Sequence, residues 1–334
     1  DGFGLKVKQG DNLISELNLT FKEIEEYAFA NSSIKNALMN RSKILTEIGA
    51  YAFSGDATYE YLDSAFTAIA TDSENNYLYH YHAPILTNVD ISSAEKLGEG
   101  AFSYMRNLKS VKSGAKLTEI ADSAFYYCTE LESVTFSNVE KIGKNAFAYT
   151  ALKSADLSKV TEIGDYAFTG TETLESVKFA EGAKVGEGAF GYCTALKTLT
   201  GTEKIASVGD YGFAYTALSS IDLSGTESIG SHAFIKEELT PFEVKLGSKL
   251  TDIGDNPFAM CDIAPFHTVS TTEFNGKVYE DTVYDFDLSE NVTVIAGSLY
   301  RRVPNGLELI TYAGEGKNVE VAEGTVRLSA MSFA

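Results

Sequence analysis

The sequence predicts an α/β solenoid, a stack of coils joined by parallel strands, and three observations carry that prediction. First, the stretch TEIGDYAF at Thr161 to Phe168 recurs down the chain. Its closing phenylalanine stands at Phe29, Phe53, Phe102, Phe125, Phe147, Phe168, Phe190, Phe213, Phe234 and Phe258. Apart from one double-length gap between Phe53 and Phe102, the copies follow one another at nearly constant spacing, in the range typical of coil-stacking repeats. Second, each motif is preceded by the spacing apolar-x-x-apolar-x-apolar. Examples are Leu131, Val134, Phe136; Leu152, Ala155, Leu157; Leu174, Val177, Phe179; Leu218, Ile221, Leu223; and Leu239, Phe242, Val244. The last four residues of each alternate apolar and polar, the signature of a strand with one face buried. Third, a glycine follows the Ile, Val or Leu of the motif at Gly49, Gly98, Gly143, Gly164, Gly186, Gly209, Gly230 and Gly254. It reads as the tight turn that closes a coil, with the Ala-Phe after it plugging the interior.

Taken in order, the first unit has Ile14, Leu17 and Leu19 as its strand and a motif that lacks the glycine. The second runs from Ile34 to Phe53. The double-length gap that follows reads as two units with one copy degraded, and within it the pattern fails. There Leu62, Ala65, Phe66 and Ile69 have the spacing of one helix face. A polar turn, TDSENN, precedes YLYHYH, which sets Tyr77, Tyr79 and Tyr81 on one side of an extended segment. Leu86 to Phe258 is regular. Beyond it the repeat degenerates, and Val303-Pro304-Asn305-Gly306 between two apolar runs signals a hairpin. The predicted organisation is a solenoid over 1–262 with an irregular insert near 54–85, and a degenerate repeat and hairpin region over 263–334 continuing it.

The pattern LxxVxFxxVTEIGDYAFxxC, as in Leu131 to Thr150 and Leu174 to Cys193, resembles the BspA-type leucine-rich repeats of bacterial surface proteins. The resemblance implies a curved array of parallel strands with short helices or turns on the convex side. It also implies a secreted or cell-surface location and, as in several members, adhesion to host matrix proteins. A shared fold transfers architecture better than function.

Composition bounds the partners. With 47 acidic against 27 basic residues the net charge is −20, which disfavours nucleic acid, whose phosphates would be repelled, and equally an anionic membrane surface. No run of 18 apolar residues exists to insert into a bilayer as a helix. The chain opens at Asp1 without a basic and apolar leader, so any export signal or anchor is expected to have been removed. Cys128, Cys193 and Cys261 each stand three residues after a motif phenylalanine. Neighbouring cysteines are three coils apart, roughly 14 Å at the strand spacing, against the ~7 Å limit for a disulfide. Three free, buried thiols are expected.

Two surfaces are candidates for ligand binding. One is the outward strand column Lys112, Thr135, Asp156, Lys178, Thr200 and Asp222, extended by Asp90 and Glu243, whose alternating charges also suit neighbours in a stack. The other is the aromatic column Tyr104, Tyr127, Tyr149, Tyr192 and Tyr215, each two residues after a motif phenylalanine, together with Tyr77, Tyr79 and Tyr81 of the insert. His80 and His82 with Glu74 fall short of a metal site, which needs three or four ligands at recognisable spacing, and no cofactor is expected. Gly186, Gly188 and Gly191 spell GxGxxG, but no long helix of a dinucleotide-binding unit follows. No nucleophile, base and orienting acid stand together, and no G-x-S-x-G, H-E-x-x-H or Walker loop occurs. The sequence therefore reads as a non-enzymatic binding protein engaging an extracellular protein. A glycan-binding surface and a rigid spacer presenting other domains stay open as alternatives.

Overall fold

The computed structural model describes residues 8–9, 12–13, 16–18, 22–30, 36–38, 45–55, 86–274, 277–283, 285–313 and 321–329. The chain forms two compact units, Asp1–Lys153 and Ser154–Ala334. Each unit contains parallel β-solenoid coils built from the repeating motif, and the second also holds an antiparallel region.

Every coil contributes two strands. The longer ones follow the predicted alternation: in the first unit Asn88–Ile91 pairs in parallel with Ser110–Ser113, and that strand with Ser133–Thr135. In the second unit Ser154–Leu157, Ser176–Phe179 and Thr198–Thr200 form the same ladder. The shorter strands lie inside the motif itself, where Glu162–Ile163, Lys184–Val185, Ser207–Val208, Ser228–Ile229 and Asp252–Ile253 pair in series.

The rest of the motif is a ladder of a different kind. The N–H groups of Gly188, Phe190 and Tyr192 donate to the carbonyls of Asp210, Gly212 and Ala214 in the next coil. Those of Ala189, Gly191 and Cys193, which alternate with them, turn back three residues to Gly186, Gly188 and Phe190. The coil ending at Phe102 does the same, with Gly100, Phe102 and Tyr104 donating to Asp122, Ala124 and Tyr126. This corrects the α/β expectation. Among the described residues the one helical element is the 3₁₀ turn Thr202–Lys204, so what they build is a β-solenoid without α-helices. An α-helix needs its N–H groups for its own i−4 carbonyls, and here every second one is donated sideways. Left-handed residues at two positions per coil, such as Ser123 and Tyr127 or Tyr211 and Tyr215, interrupt any helix as well.

Those left-handed residues also correct the role of the motif glycines. Gly186 and Gly209 do not have positive φ; a Cβ on either would sit 2.7–2.8 Å from backbone atoms of the preceding coil. The glycine allows coils to approach, and tyrosine, asparagine, serine and histidine adopt the turn conformation. The Asp of the motif bridges coils too: Asp165 accepts the N–H of Glu187 at 3.0 Å, and Asp122 that of Lys144 at 2.7 Å.

The interior holds the phenylalanines, stacked face to face. Ring centroids are 5.1–5.5 Å apart from Phe29 through Phe53, Phe102 and Phe125 to Phe147, and from Phe168 through Phe190, Phe213 and Phe234 to Phe258. The contact of Phe53 with Phe102, at 5.2 Å, and the pairing of Glu47–Ile48 with Lys96–Leu97 make these two coils direct neighbours. No degraded coil lies between them; the double-length gap is one coil plus an insertion. The insert itself, with the expected helix and YLYHYH segment, lies outside the described residues.

All three cysteines are free and buried. The thiols of Cys128, Cys193 and Cys261 donate to the carbonyls of Phe102, Phe168 and Phe234 at 3.0, 3.2 and 3.3 Å. Burial pushes all three well up, Cys261 to about 12.

One register differs from the sequence reading. The strand is Glu243–Leu246, with Val244 opposite Ile221 and Leu246 opposite Leu223. Lys245 rather than Glu243 therefore faces Asp222, and Leu239 is 60% exposed. The connection from phenylalanine to strand is longer in that coil than in its neighbours, by one position or two. The added length accommodates Lys236, whose buried ammonium donates to the carbonyls of Thr216 and Leu218 at 2.7 Å each.

Past Asp262 pairing turns antiparallel. Thr268–Phe274 and Lys277–Val283 form a hairpin. Phe286–Asp287, Val292–Ile295, Ser298–Val303 and Gly306–Thr311 form a sheet whose last turn brings Val303 opposite Gly306, the predicted hairpin, and Thr325–Leu328 then adds in parallel. Arg301 ties this sheet to the last coil, donating to Glu308 at 2.7 Å, to the Ile253 carbonyl at 2.8 Å and to Asp255 at 2.9 Å.

Because Phe190 is fully buried between Phe168 and Phe213, Phe190→Ala removes stacking on both sides and leaves a cavity. The expected cost is ~3–5 kcal/mol, read by urea denaturation. A loss below ~1 kcal/mol would mean that the phenylalanine stack does not carry the core.

Candidate interaction surfaces

The outward strand column is a set of ion pairs. In the first unit Asp90 lies opposite Lys112 and Lys112 opposite Thr135; in the second Asp156, Lys178 and Thr200 repeat the order, and Asp222 faces Lys245. The N···O distances are 3.1 Å for Lys112–Asp90, 3.8 Å for Lys178–Asp156 and 2.9 Å for Lys245–Asp222. One column over, Lys153 meets Glu132 at 3.0 Å and Lys197 meets Glu175 at 3.3 Å. The aspartates work twice, since Asp90, Asp156 and Asp222 also accept the N–H of Ser92, Ser158 and Ser224, closing the strand end. The hydrogen bond from Ser158 holds the Asp156 carboxyl below the usual carboxylate range, against a smaller effect of burial. Partial burial raises Asp90 and Asp222, but hydrogen bonds from Ser92 with Lys112 and from Ser224 with Lys245 together outweigh it, leaving both lowered. Exposed pairs of this kind contribute little each, so the column is a polar, locally compensated face.

The aromatic column is differently built. Tyr104 stacks on Tyr127 at 5.6 Å, Tyr127 lies tilted against Tyr149 at 4.7 Å, and in the second unit Tyr192 stacks on Tyr215 at 4.7 Å. Two residues absent from the sequence reading complete the cluster of the first unit. Tyr126 meets Tyr104, Tyr127 and Tyr149 edge-on at 5.4, 5.0 and 6.0 Å, and the Arg106 guanidinium lies 5.8 Å from the centre of the Tyr127 ring. The Tyr126-Tyr127 doublet was visible in the sequence; Arg106, two residues past Tyr104, becomes relevant only when the next coil is laid beside it. All five column tyrosines have φ of 58–59°. Tyr149 is 41% and Tyr192 57% exposed. Within each pair the facing ring surfaces cover one another, so a partner meets edges, hydroxyls and the outer faces of the end rings. Tyr77, Tyr79, Tyr81, His80, His82 and Glu74 lie outside the described residues.

A second aromatic column runs through the sixth motif position. Tyr27 stacks on Tyr51 at 5.3 Å and Tyr211 on His232 at 5.2 Å. The Tyr51 hydroxyl donates to Glu99 at 2.7 Å, which with burial pushes its pKa up to about 12, and Tyr166 donates likewise to Glu187. Gly100 and Gly188 lie directly beneath the rings of Tyr51 and Tyr166, where a Cβ would collide with the ring. The second glycine of GxGxxG therefore seats a tyrosine, and Gly186 sets coil spacing. Among the described residues no three His, Cys, Asp or Glu side chains are grouped to hold a metal, and no helix is long and apolar enough to cross a membrane.

Two strands and a phenylalanine plug in every repeat agree with the family found by comparison. The BspA type leucine rich repeat region matches residues 12–71, 73–185 and 161–284, in six copies. The chain belongs to this family. No curated protein matches it. Solved structures similar to this BspA-type chain include a leucine rich cell surface protein from Faecalibacterium prausnitzii, 24% identical over 72% of this chain and 59% of that one, with a TM-score of 0.47. A leucine-rich repeat protein from Bacteroides ovatus is 22% identical over 73% of this chain and 75% of that one, with a TM-score of 0.42. Another from Eubacterium ventriosum is 20% identical over 54% and 60%, with a TM-score of 0.37. This chain thus spans 59% of the length of the Faecalibacterium protein.

Two measurements check the surfaces. At the left-handed Tyr127 backbone, alanine is strained where glycine is not. Tyr127→Gly is therefore expected to be more stable than Tyr127→Ala by about 1 kcal/mol, and the opposite order would contradict the coil geometry. A carboxyl held below its unfolded value contributes stability that is complete above pH ~4 and disappears as pH falls through the folded value. The stability difference between wild type and Asp90→Asn should be constant from about pH 5 to 8 and shrink below about pH 4. A difference that grows on acidification would reverse the assigned sign.

Proposed function

We propose that this chain is a non-enzymatic binding protein displayed outside a bacterial cell, engaging an extracellular host or matrix protein through the aromatic surface of its first unit. The carrying observation is the cluster of Tyr104, Tyr126, Tyr127, Tyr149 and Arg106. The left-handed column position accepts glycine at no steric cost, as at Gly170, whereas a tyrosine there is strained by ~1–2 kcal/mol. Coil geometry alone therefore does not call for these rings. Tyrosine and arginine are the residues enriched in protein interfaces and their hot spots, and here stacking holds them rigid before any partner arrives, which lowers the ordering cost of binding.

Two comparisons within the molecule support this choice. The lysines of the strand face already have carboxylate partners, so a ligand there would compete with existing pairs. Sugar capture on aromatic rings uses their faces, and most of these faces are occupied by neighbouring rings. The extracellular location rests on membership of the BspA-type family.

The test is a binding screen of the chain against immobilised matrix proteins and a glycan array, with a heat-denatured control. A saturable, fold-dependent protein hit is expected, weakened at least ~10-fold by Tyr149→Ser or Arg106→Ala and unchanged by Lys178→Ser. A glycan hit sensitive to the tyrosines would replace the partner class. Loss confined to Lys178→Ser would move the site to the strand face, and silence on every surface would leave the spacer reading.

A further inference from the structure

The strand Glu243–Leu246 has one edge paired with Ser220–Leu223. Along its other edge the next coil begins to pair and then leaves. Thr240–Pro241 is parallel to Cys261–Asp262, and the Phe242 N–H donates to the Asp262 carbonyl at 2.9 Å. Ile263, Ala264 and Pro265 then turn away, the Phe266 N–H goes to Gly297, and the chain enters the antiparallel hairpin starting at Thr268. Among the described residues no strand takes the place beside Val244 to Leu246. A cleft of about 750 Å³ lies there instead.

The cleft has the chemistry of a missing strand. The Glu243 N–H is used by Ser219 on the paired edge, so by alternation the N–H and C=O of Val244 and Leu246 point to the open one. Its walls include Val244, Leu246, Ile263, Phe266, Leu288 and Val294. Val244 and Leu246 are half-buried, while their partners Ile221 and Leu223 are 6% and 0% exposed. An added strand would cover this edge as Ser154–Leu157 and Thr198–Thr200 cover the two edges of Ser176–Phe179.

The charges specify what the strand should carry. At the equivalent position of the preceding coils Ser176 and its neighbour Thr198 carry hydroxyls, as does Ser220 opposite Glu243, so Glu243 departs from the series. No cation pairs with Glu243 among the described residues. Lys245 is held on one side by Asp222 at 2.9 Å, and its counterpart Lys178 stands between Asp156 and Thr200, so the residue following the lysine is a hydroxyl. We propose that this edge docks an extended segment of a partner protein, parallel to Glu243–Leu246, in the order basic, apolar, hydroxyl, apolar. The site lies in the second unit and does not depend on the aromatic surface of the first.

The test uses two fluorescein-labelled ten-residue peptides with Gly-Ser flanks, one with the core Lys-Val-Thr-Leu and one with Glu-Val-Thr-Leu, titrated with the full chain. Wild type is expected to bind the lysine peptide at least tenfold tighter than the glutamate peptide. Glu243→Lys, an exposed substitution whose folding is checked by its melting temperature, is expected to invert the order. Failure of both peptides to saturate below about 1 mM, or an order unchanged by Glu243→Lys in a folded protein, would overturn the proposal. Self-association of the wild type abolished by Glu243→Lys would also overturn it, by assigning the edge to a second copy.

Discussion

Every second N–H of the segment around the motif phenylalanine is donated to the next coil, and the ones between turn back three residues within their own coil. This division of the backbone donors is the constraint on which the rest of the architecture depends. A helix would spend all of them internally and a flat strand would spend none on turns. The mixed pattern closes a coil within a single repeat while still joining it to its neighbour. It forces the coils together so closely that Gly186 and Gly209 have no room for a Cβ, and it brings successive phenylalanine rings to 5.1–5.5 Å. Buried area, ring stacking and ladder bonds are thus consequences of a single backbone arrangement.

The same arrangement produces the surfaces. Because coils repeat in register, any residue type at a given motif position becomes a column. Where the column holds opposite charges on successive strands, as in Asp156 and Lys178, the result is neutralised and adds modestly to the stack. Where it holds tyrosine in a left-handed conformation, the result is a rigid row of aromatic edges. Regularity therefore makes structure, and departures from it make the candidate sites: Arg106 laid over the Tyr127 ring, and Glu243 where the preceding coils carry hydroxyls. The break at Pro265 belongs with these, since it ends the coil pairing and leaves the second edge of Glu243–Leu246 open.

Much was legible in the sequence because a repeat reports its own period. The coil length, the phenylalanine plug, the alternating strand, the buried cysteines and the Val303 to Gly306 hairpin all follow from local patterning that neighbours reinforce. The family could be recognised from the same residues. What misled was the inference from residue type to conformation. The glycine after the motif Ile or Val looked like a turn residue, but its backbone is ordinary; the left-handed positions lie elsewhere in the coil and belong mostly to tyrosine, with glycines such as Gly170 and Gly188 among the rest. The double-length gap looked like a lost coil, although Phe53 stacks directly on Phe102. The strand near Phe242 was read two residues early, since the buried ammonium of Lys236 carries no signal of its own in a linear pattern.

The sequence by itself determined that the chain is a stack of coils with a phenylalanine interior, because each coil repeats the same apolar spacing and only stacking can bury it. Tertiary structure decided which side chains meet across coils. Those contacts depend on register between segments a full repeat apart, and one register shift exchanges Glu243 for Lys245 opposite Asp222. It likewise decided that the motif coils without forming an α-helix, for the destination of a backbone N–H is a property of the neighbouring coil and not of the residue that carries it.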